Sequence, residues 1–150
     1  MKILLAVDGS DYSKAAIEET ASGAFSSGVE VHIISVYDDS SIVMSIPAPG
    51  GVLGGYYEDV ALLAKRSAEE IVKKAGDYLR NKNKSLKIKT AALKGNPKHE
   101  ILREAEKINA DLIVVGSHGR GTVGRFLLGS VSLSVAMHAK CSVKIIRRKK

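Results

Sequence analysis

Short apolar runs alternate with longer helical patterns along this chain, and that alternation limits its fold more than any other feature. Lys2 to Val7 is short and nearly all apolar, the pattern of a strand buried on both faces. Asp8-Gly9-Ser10 breaks it, and Ser10 or Asp11 can cap a helix running to about Ser26. Glu30 to Tyr37 reads as the second strand. Asp38 to Tyr57 carries Pro47, Pro49 and several glycines and reads as a flexible loop, a functional lid or simply mobile. Glu58 to Asn81 is an amphipathic helix, with Val60, Leu63, Ala64, Ala68, Ile71, Ala75 and Leu79 on one stripe. Leu86 to Leu93 reads as a third strand nearer a sheet edge, and Pro97 suits the first turn of a helix ending near Asn109. Asp111 to Val115 is the most apolar strand. A loop from Ser117 to Gly129 follows, then a helix from Ser130 to about Ala139 and a last strand from Cys141 to Ile146. The order βαβαβαβαβ predicts an α/β fold with a parallel sheet covered on both faces.

The 150 residues fit one domain, and 45% hydrophobic residues are enough for a core. One cysteine, Cys141, rules out an internal disulfide and reads as a small buried hydrophobe. The opening apolar run stops at Asp8, too soon for a signal-peptide core, and no stretch nears the ~20 apolar residues of a membrane span. The expected location is therefore cytoplasmic. The net charge of +7 is concentrated at the end, in Lys140, Lys144, Arg147, Arg148, Lys149 and Lys150. Such an end reads first as a solvated tail. Without interleaved aromatics, nucleic-acid or acidic-partner binding there is the weaker alternative.

In open parallel sheets, ligands bind beyond the carboxyl ends of strands at the switch point. Asp8, Tyr37 and Gly116 stand at such ends. From Gly116 the chain reads GSHGRGTVGRFLLGS, with Gly116, Gly119, Gly121, Gly124 and Gly129 between the best strand and a helix. Glycines allow close backbone approach, and exposed amides together with a helix start can surround an anion. Ser130 and Ser132 add hydroxyls. Gly119 to Gly124 has the spacing of a dinucleotide fingerprint, but the loop is long and no acid follows where the ribose would need one. The same glycines have P-loop spacing, but Arg125-Phe126 replaces the lysine and hydroxyl.

Gly116, Gly119, Gly129 and Ser130 meet the pattern G-x2-G-x9-G-[ST] without a gap. With Ile3 to Ser10 at the start and Cys141-Ser142-Val143 near the end, the whole chain resembles the universal stress proteins. The resemblance implies the adenine nucleotide alpha hydrolase-like fold, an open five-stranded parallel sheet in the order 3-2-1-4-5. It also implies the ATP-binding subgroup. Carried over, Gly116 approaches the ribose, while the backbones of Gly119, Gly129, Ser130 and Val131 hold the phosphates, helped by the Ser130 hydroxyl. Asp8 meets the ribose or base edge, Val36 presents its backbone to adenine, Ala6 lines the base pocket, and His118 lies near the phosphates. Mg2+ or Mn2+ would bridge the phosphates rather than sit in a protein cage. Two departures, Ser142 and Ala6 where relatives often carry proline, touch the closing strand and base pocket only.

Asp8 can equally serve as a turn residue. Flanking glycines argue that His118 is not a core residue, and His32, His99 and His138 lack ligand-like spacing. Arg120 and Arg125 can close over phosphates or stay solvated. No nucleophile constellation is visible, so binding is better supported than turnover. A slow ATP hydrolase using Asp8 and His118 is the enzymatic alternative. An apolar edge at the last strand, and the family resemblance, imply a homodimer paired through it.

Overall fold

The computed structural model describes residues 1–23, 28–38, 54–119 and 128–148, with side chains in the long second helix described from Glu58 onward. The strands are β1 (Lys2–Ala6), β2 (Glu30–Tyr37), β3 (Lys87–Lys94), β4 (Leu112–Gly116) and β5 (Ser142–Ile146). The helices are α1 (Asp11–Ser22), α2 (Gly54–Lys82), α3 (Pro97–Ile108) and α4 (Ser130–His138). The sheet runs β3-β2-β1-β4-β5, all pairs parallel, as the sequence led us to expect.

Alternation along the buried strands divides the core in two. Ile3, Leu5, Val31, Ile33 and Val114 pack on one face with Val72, Ala75 and Leu79 of α2. Leu4, Ile34, Ile113 and Val115 pack on the other with Ile101 and Ala105 of α3 and Val135 of α4. Register places Ala6 opposite both Ile34 and Val115, so three strand ends converge at one level of the sheet.

Several boundaries differ from the sequence reading. Helix α1 ends at Ser22, not near Ser26, because Gly23 turns extended (φ −61°, ψ 132°). Residues 24–27 lie outside the described set. Helix α2 begins at Gly54, so the expected loop is four residues shorter there and the remainder, 39–53, lies outside the described residues. At a helix start the first N–H groups need no carbonyl one turn back, which eases the cost of Gly54 and Gly55. Leu63, placed on the inward stripe, is 64% exposed. Full burial along α2 starts at Ala68 and continues through Val72, Ala75 and Leu79, with Val60 and Ala64 half-buried before it. Cys141 precedes β5 and is half-buried, and burial raises its thiol above the ordinary range.

The basic end is more engaged than a solvated tail. Lys140 pairs with Glu106 at 3.1 Å, Lys144 with Glu19 at 2.6 Å and Arg148 with Asp11 at 2.9 Å. Exposed pairs of this kind stabilise little.

On the lower part of β2 and β3, Glu30 accepts hydrogen bonds from Lys89 Nζ (2.7 Å) and from His32. The Lys89 bond first, then His32, holds the Glu30 carboxyl down at about 2. A folded-state value below the unfolded one means stability that is full above pH ~4.5 and lost as pH falls toward 2. Glu30→Gln is therefore expected to melt below wild type at pH 7, with the gap closing between pH 4.5 and 2. Thermal melts across that range test it, and a gap independent of pH would refute it.

Candidate functional site

A cavity of about 380 Å3 opens at the carboxyl ends of β1, β2 and β4, on the α3 and α4 side. This is where the chain switches direction across the sheet, between β1 and β4. Ala6, Asp8, Val36, Gly116, His118, Gly119, Gly129, Ser130, Val131 and Ser132 all stand in its wall. The structure therefore brings together these ten positions, while Tyr37 does not stand in the wall. Arg120 and Arg125 lie outside the described residues.

The wall has two unlike halves. Ala6, Ile34, Val36, Val115, Pro97 and Ile101 make an apolar slot. Sequence reading missed Ile34, Pro97, Ile101 and Val115. Inward alternation at the strand ends was the available signal for Ile34 and Val115. Pro97 and Ile101 reach the site only because α3 packs across it.

The other half is the start of α4. Helices α1 and α3 begin under side-chain caps: Ser13 N–H donates to Ser10 Oγ (3.2 Å), and Lys98 N–H to Asn96 Oδ1 (2.9 Å). Helix α4 begins at Ser130, and Gly129 before it offers no side-chain cap. The N–H groups of Ser130, Val131 and Ser132 have no carbonyl a turn back to receive them, and the helix dipole adds partial positive charge. Their position in the cavity wall makes this end suited to an anion.

Two of the glycines also make packing contacts that the sequence does not show. A Cβ on Gly116 would lie 2.8 Å from Tyr12 C and 3.0 Å from Ser13 N. Gly116 thus lets β4 press against α1, and it also stands in the cavity wall. A Cβ on Gly129 would lie 3.1 Å from Ser117 O and 3.2 Å from His118 Cα. The Gly129 N–H donates to Ser117 O (2.7 Å), so that amide is spent on the loop's own closure and not on a phosphate. Ser132 Oγ stands 2.9 Å from both Ser117 O and Gly129 O, and its single proton is committed to that backbone. The backbone N–H of Ser132, not its hydroxyl, faces the ligand role.

Asp8 Oδ1 accepts from Ser10 N–H (2.9 Å), and its Oδ2 is 2.9 Å from where a Gly119 Cβ would be. Asp8 is therefore both a turn residue and part of the cavity wall. His118 is 9% exposed, against the expectation that its glycine neighbours keep it out of the core. Loop closure folds it inward. Its ring centroid lies 4.9 Å from that of Tyr12 at 44°, and its Nδ1 lies 3.0 Å from Ser117 Oγ.

Fold and cavity define a parallel α/β protein with a crevice at its switch point, part apolar and part uncapped helix start. The chain belongs to the universal stress protein family, whose pattern matches residues 1–147. Universal stress protein MJ0531 of Methanocaldococcus jannaschii is 36% identical over 149 residues, 99% of this chain and 83% of the relative. The solved universal stress protein UspA from Lactobacillus plantarum shares 27% identity and a TM-score of 0.81, over 98% of this chain and 97% of that one. A universal stress protein from Archaeoglobus fulgidus, solved in complex with dAMP, shares 25% identity and a TM-score of 0.65, over 97% of each chain. Among the described residues, no helix is long and apolar enough to cross a membrane.

Proposed function

We propose that this chain binds an adenine nucleotide, ATP in particular, and serves as a nucleotide-dependent regulatory protein of the stress response. The observation that carries the reading is the cavity's division into an apolar slot and an uncapped helix start. A flat base suits the slot of Ala6, Ile34, Val36 and Ile101. The phosphates suit the N–H groups of Ser130 and Val131, with the Ser130 hydroxyl beside them. Asp8 faces the ribose or base edge, since a carboxylate next to phosphates would repel them. The dAMP held by the Archaeoglobus relative supports the adenine part of the reading.

Among the described residues, no group of three or more His, Cys, Asp or Glu side chains is placed to hold a metal. Mg2+ or Mn2+ would be carried on the phosphate oxygens, in keeping with magnesium's retention of its own waters. Calorimetric titration with ATP and with AMP, each with and without Mg2+, tests the reading. Saturable binding is expected for ATP. Absence of binding by both nucleotides would end it.

The two sheet edges support a homodimer through β5. The β3 edge presents exposed Lys87, Lys89 and Lys94, a guard against strand pairing. Strand β5 carries a single exposed lysine, Lys144, engaged by Glu19, and half-buried Val143 and Ile145 beside α4, where Leu133 and Met137 are 46% and 70% exposed. A monomeric mass by light scattering would exclude this pairing. A cytoplasmic location belongs to the same reading, and cell fractionation checks it.

A further inference from the structure

Strand β3 ends the sheet on one side, and no strand pairs with its outer edge among the described residues. Its backbone phase is set by two bonds beside β2. Lys87 N–H donates to Val29 O and Gly95 N–H to Tyr37 O, both at 2.9 Å. In a parallel pair, every second residue of a strand bonds to a given neighbour. The odd-numbered residues from Lys87 to Gly95 therefore turn to β2, and Ile88, Thr90 and Ala92 turn their N–H and C=O groups outward. Thr90 is exposed, and Ile88 and Ala92 are half-buried. Among the described residues, no other element supplies these three with a backbone partner. A row of this kind is a template for one more strand.

Side chains alternate along the same strand. Ile88 packs into the α2-side core, and Thr90 Cγ2 lies 3.1 Å from where a Gly76 Cβ would be. Lys87 and Lys89 stand on the opposite face, in line with Ala91 and Leu93, which join the α3-side core. The two lysines are about 6.6 Å apart along the strand, the spacing of alternate residues in a facing strand. Lys89 reaches back to Glu30 at 2.7 Å, while Lys84 and Lys87 have no ion-pair partner among the described residues. Such an edge repels its own kind. A second β3 would set lysine against lysine, and β5 carries Lys144 with Arg147 and Arg148 behind it. The chain's net charge of +7 opposes either pairing further. We propose that the β3 edge takes up an extended acidic segment of a partner protein as a sixth strand. Its carboxylates, two residues apart, would lie beside Lys87 and Lys89, and its small or β-branched side chains beside Ile88, Thr90 and Ala92. Main-chain bonds supply the pairing, and the lysines that turn away copies of this chain select the opposite charge.

The probe is the capped peptide Val-Glu-Val-Glu-Val-Thr-Val, titrated into the 15N-labelled full chain. The amide resonances of Ile88, Thr90 and Ala92 are expected to shift, and those of Lys87 and Lys89 to move less. Replacing both glutamates of the peptide by lysine should weaken binding roughly 10-fold. Of two peptides N-methylated at alternate residues, the one whose methyls face β3 should lose binding and the other should keep it. On the protein side, Lys87→Glu should weaken the acidic peptide about 3- to 10-fold. Thr90→Pro deletes one outward N–H at an edge position that tolerates proline, and should weaken it at least ~10-fold. Should Thr90→Pro fail to fold, Lys87→Glu still decides, because it changes an exposed side chain alone. Silence of the three outward amides at millimolar peptide overturns the proposal. So does equal binding of the two N-methylated peptides, which would mean charge without pairing, or of the lysine peptide, which would mean pairing without charge. A single-stranded oligonucleotide that shifts the same amides as strongly also overturns it, because the row would then read phosphates.

Discussion

Ser130→Pro is expected to weaken nucleotide binding roughly 10- to 100-fold while leaving the melting temperature within about 2 °C of wild type. Ser130 is the first residue of α4, the helix position that proline tolerates best. Its N–H has no helical acceptor, so proline removes no internal hydrogen bond. The preceding Gly129 is already extended (φ −62°, ψ 151°), the conformation a following proline requires. The substitution therefore leaves the helix intact and deletes one amide and one hydroxyl from the anion-facing end. Ser130→Ala separates the two, because it removes the hydroxyl alone. Calorimetry on both variants measures the difference. Full affinity in Ser130→Pro would mean that this helix start does not hold the phosphates.

The second large effect is on stability. Gly116→Ala is expected to cost about 3 kcal/mol, at the upper end for overpacking, and to lower the melting temperature by about 6–12 °C. The new methyl would meet the backbone of Tyr12 and Ser13, which cannot swing away as a side-chain tip can. Helix α1 would have to retreat from β4, carrying Tyr12 away from His118. Gly119→Ala is the matched comparison. There the methyl meets the end of the Asp8 side chain at 2.9 Å, which can rotate aside, so a cost under about 1 kcal/mol is expected. Thermal melts of the two variants decide the matter. Equal stability would show that Gly116 has no packing role.

Those two glycines also mark how far the chain could be read before its structure was known. Alternating apolar runs specified the strands, and the strand order followed from the family resemblance. Positions at strand ends and beside glycines led to residues that converge on one cavity. The reason for each glycine was out of reach, because Gly116 answers to α1, more than 100 positions earlier in the chain. The same applies to Lys144 with Glu19 and Arg148 with Asp11, which are 125 and 137 positions apart. Local pattern cannot show such partners. Burial of His118 also depends on tertiary closure, since its flanking residues alone suggest exposure. Leu63 was misplaced for the opposite reason: helical periodicity continues along α2 into turns that the described core does not fully cover.

Ser117 O receives the Gly129 amide and stands within reach of the Ser132 hydroxyl, so the ends of the intervening stretch are buttoned together at its base. Ser130 is thereby held toward the crevice by contacts made where the stretch leaves β4 and where it enters α4, so its aim depends on Ser117, Gly129 and Ser132 themselves.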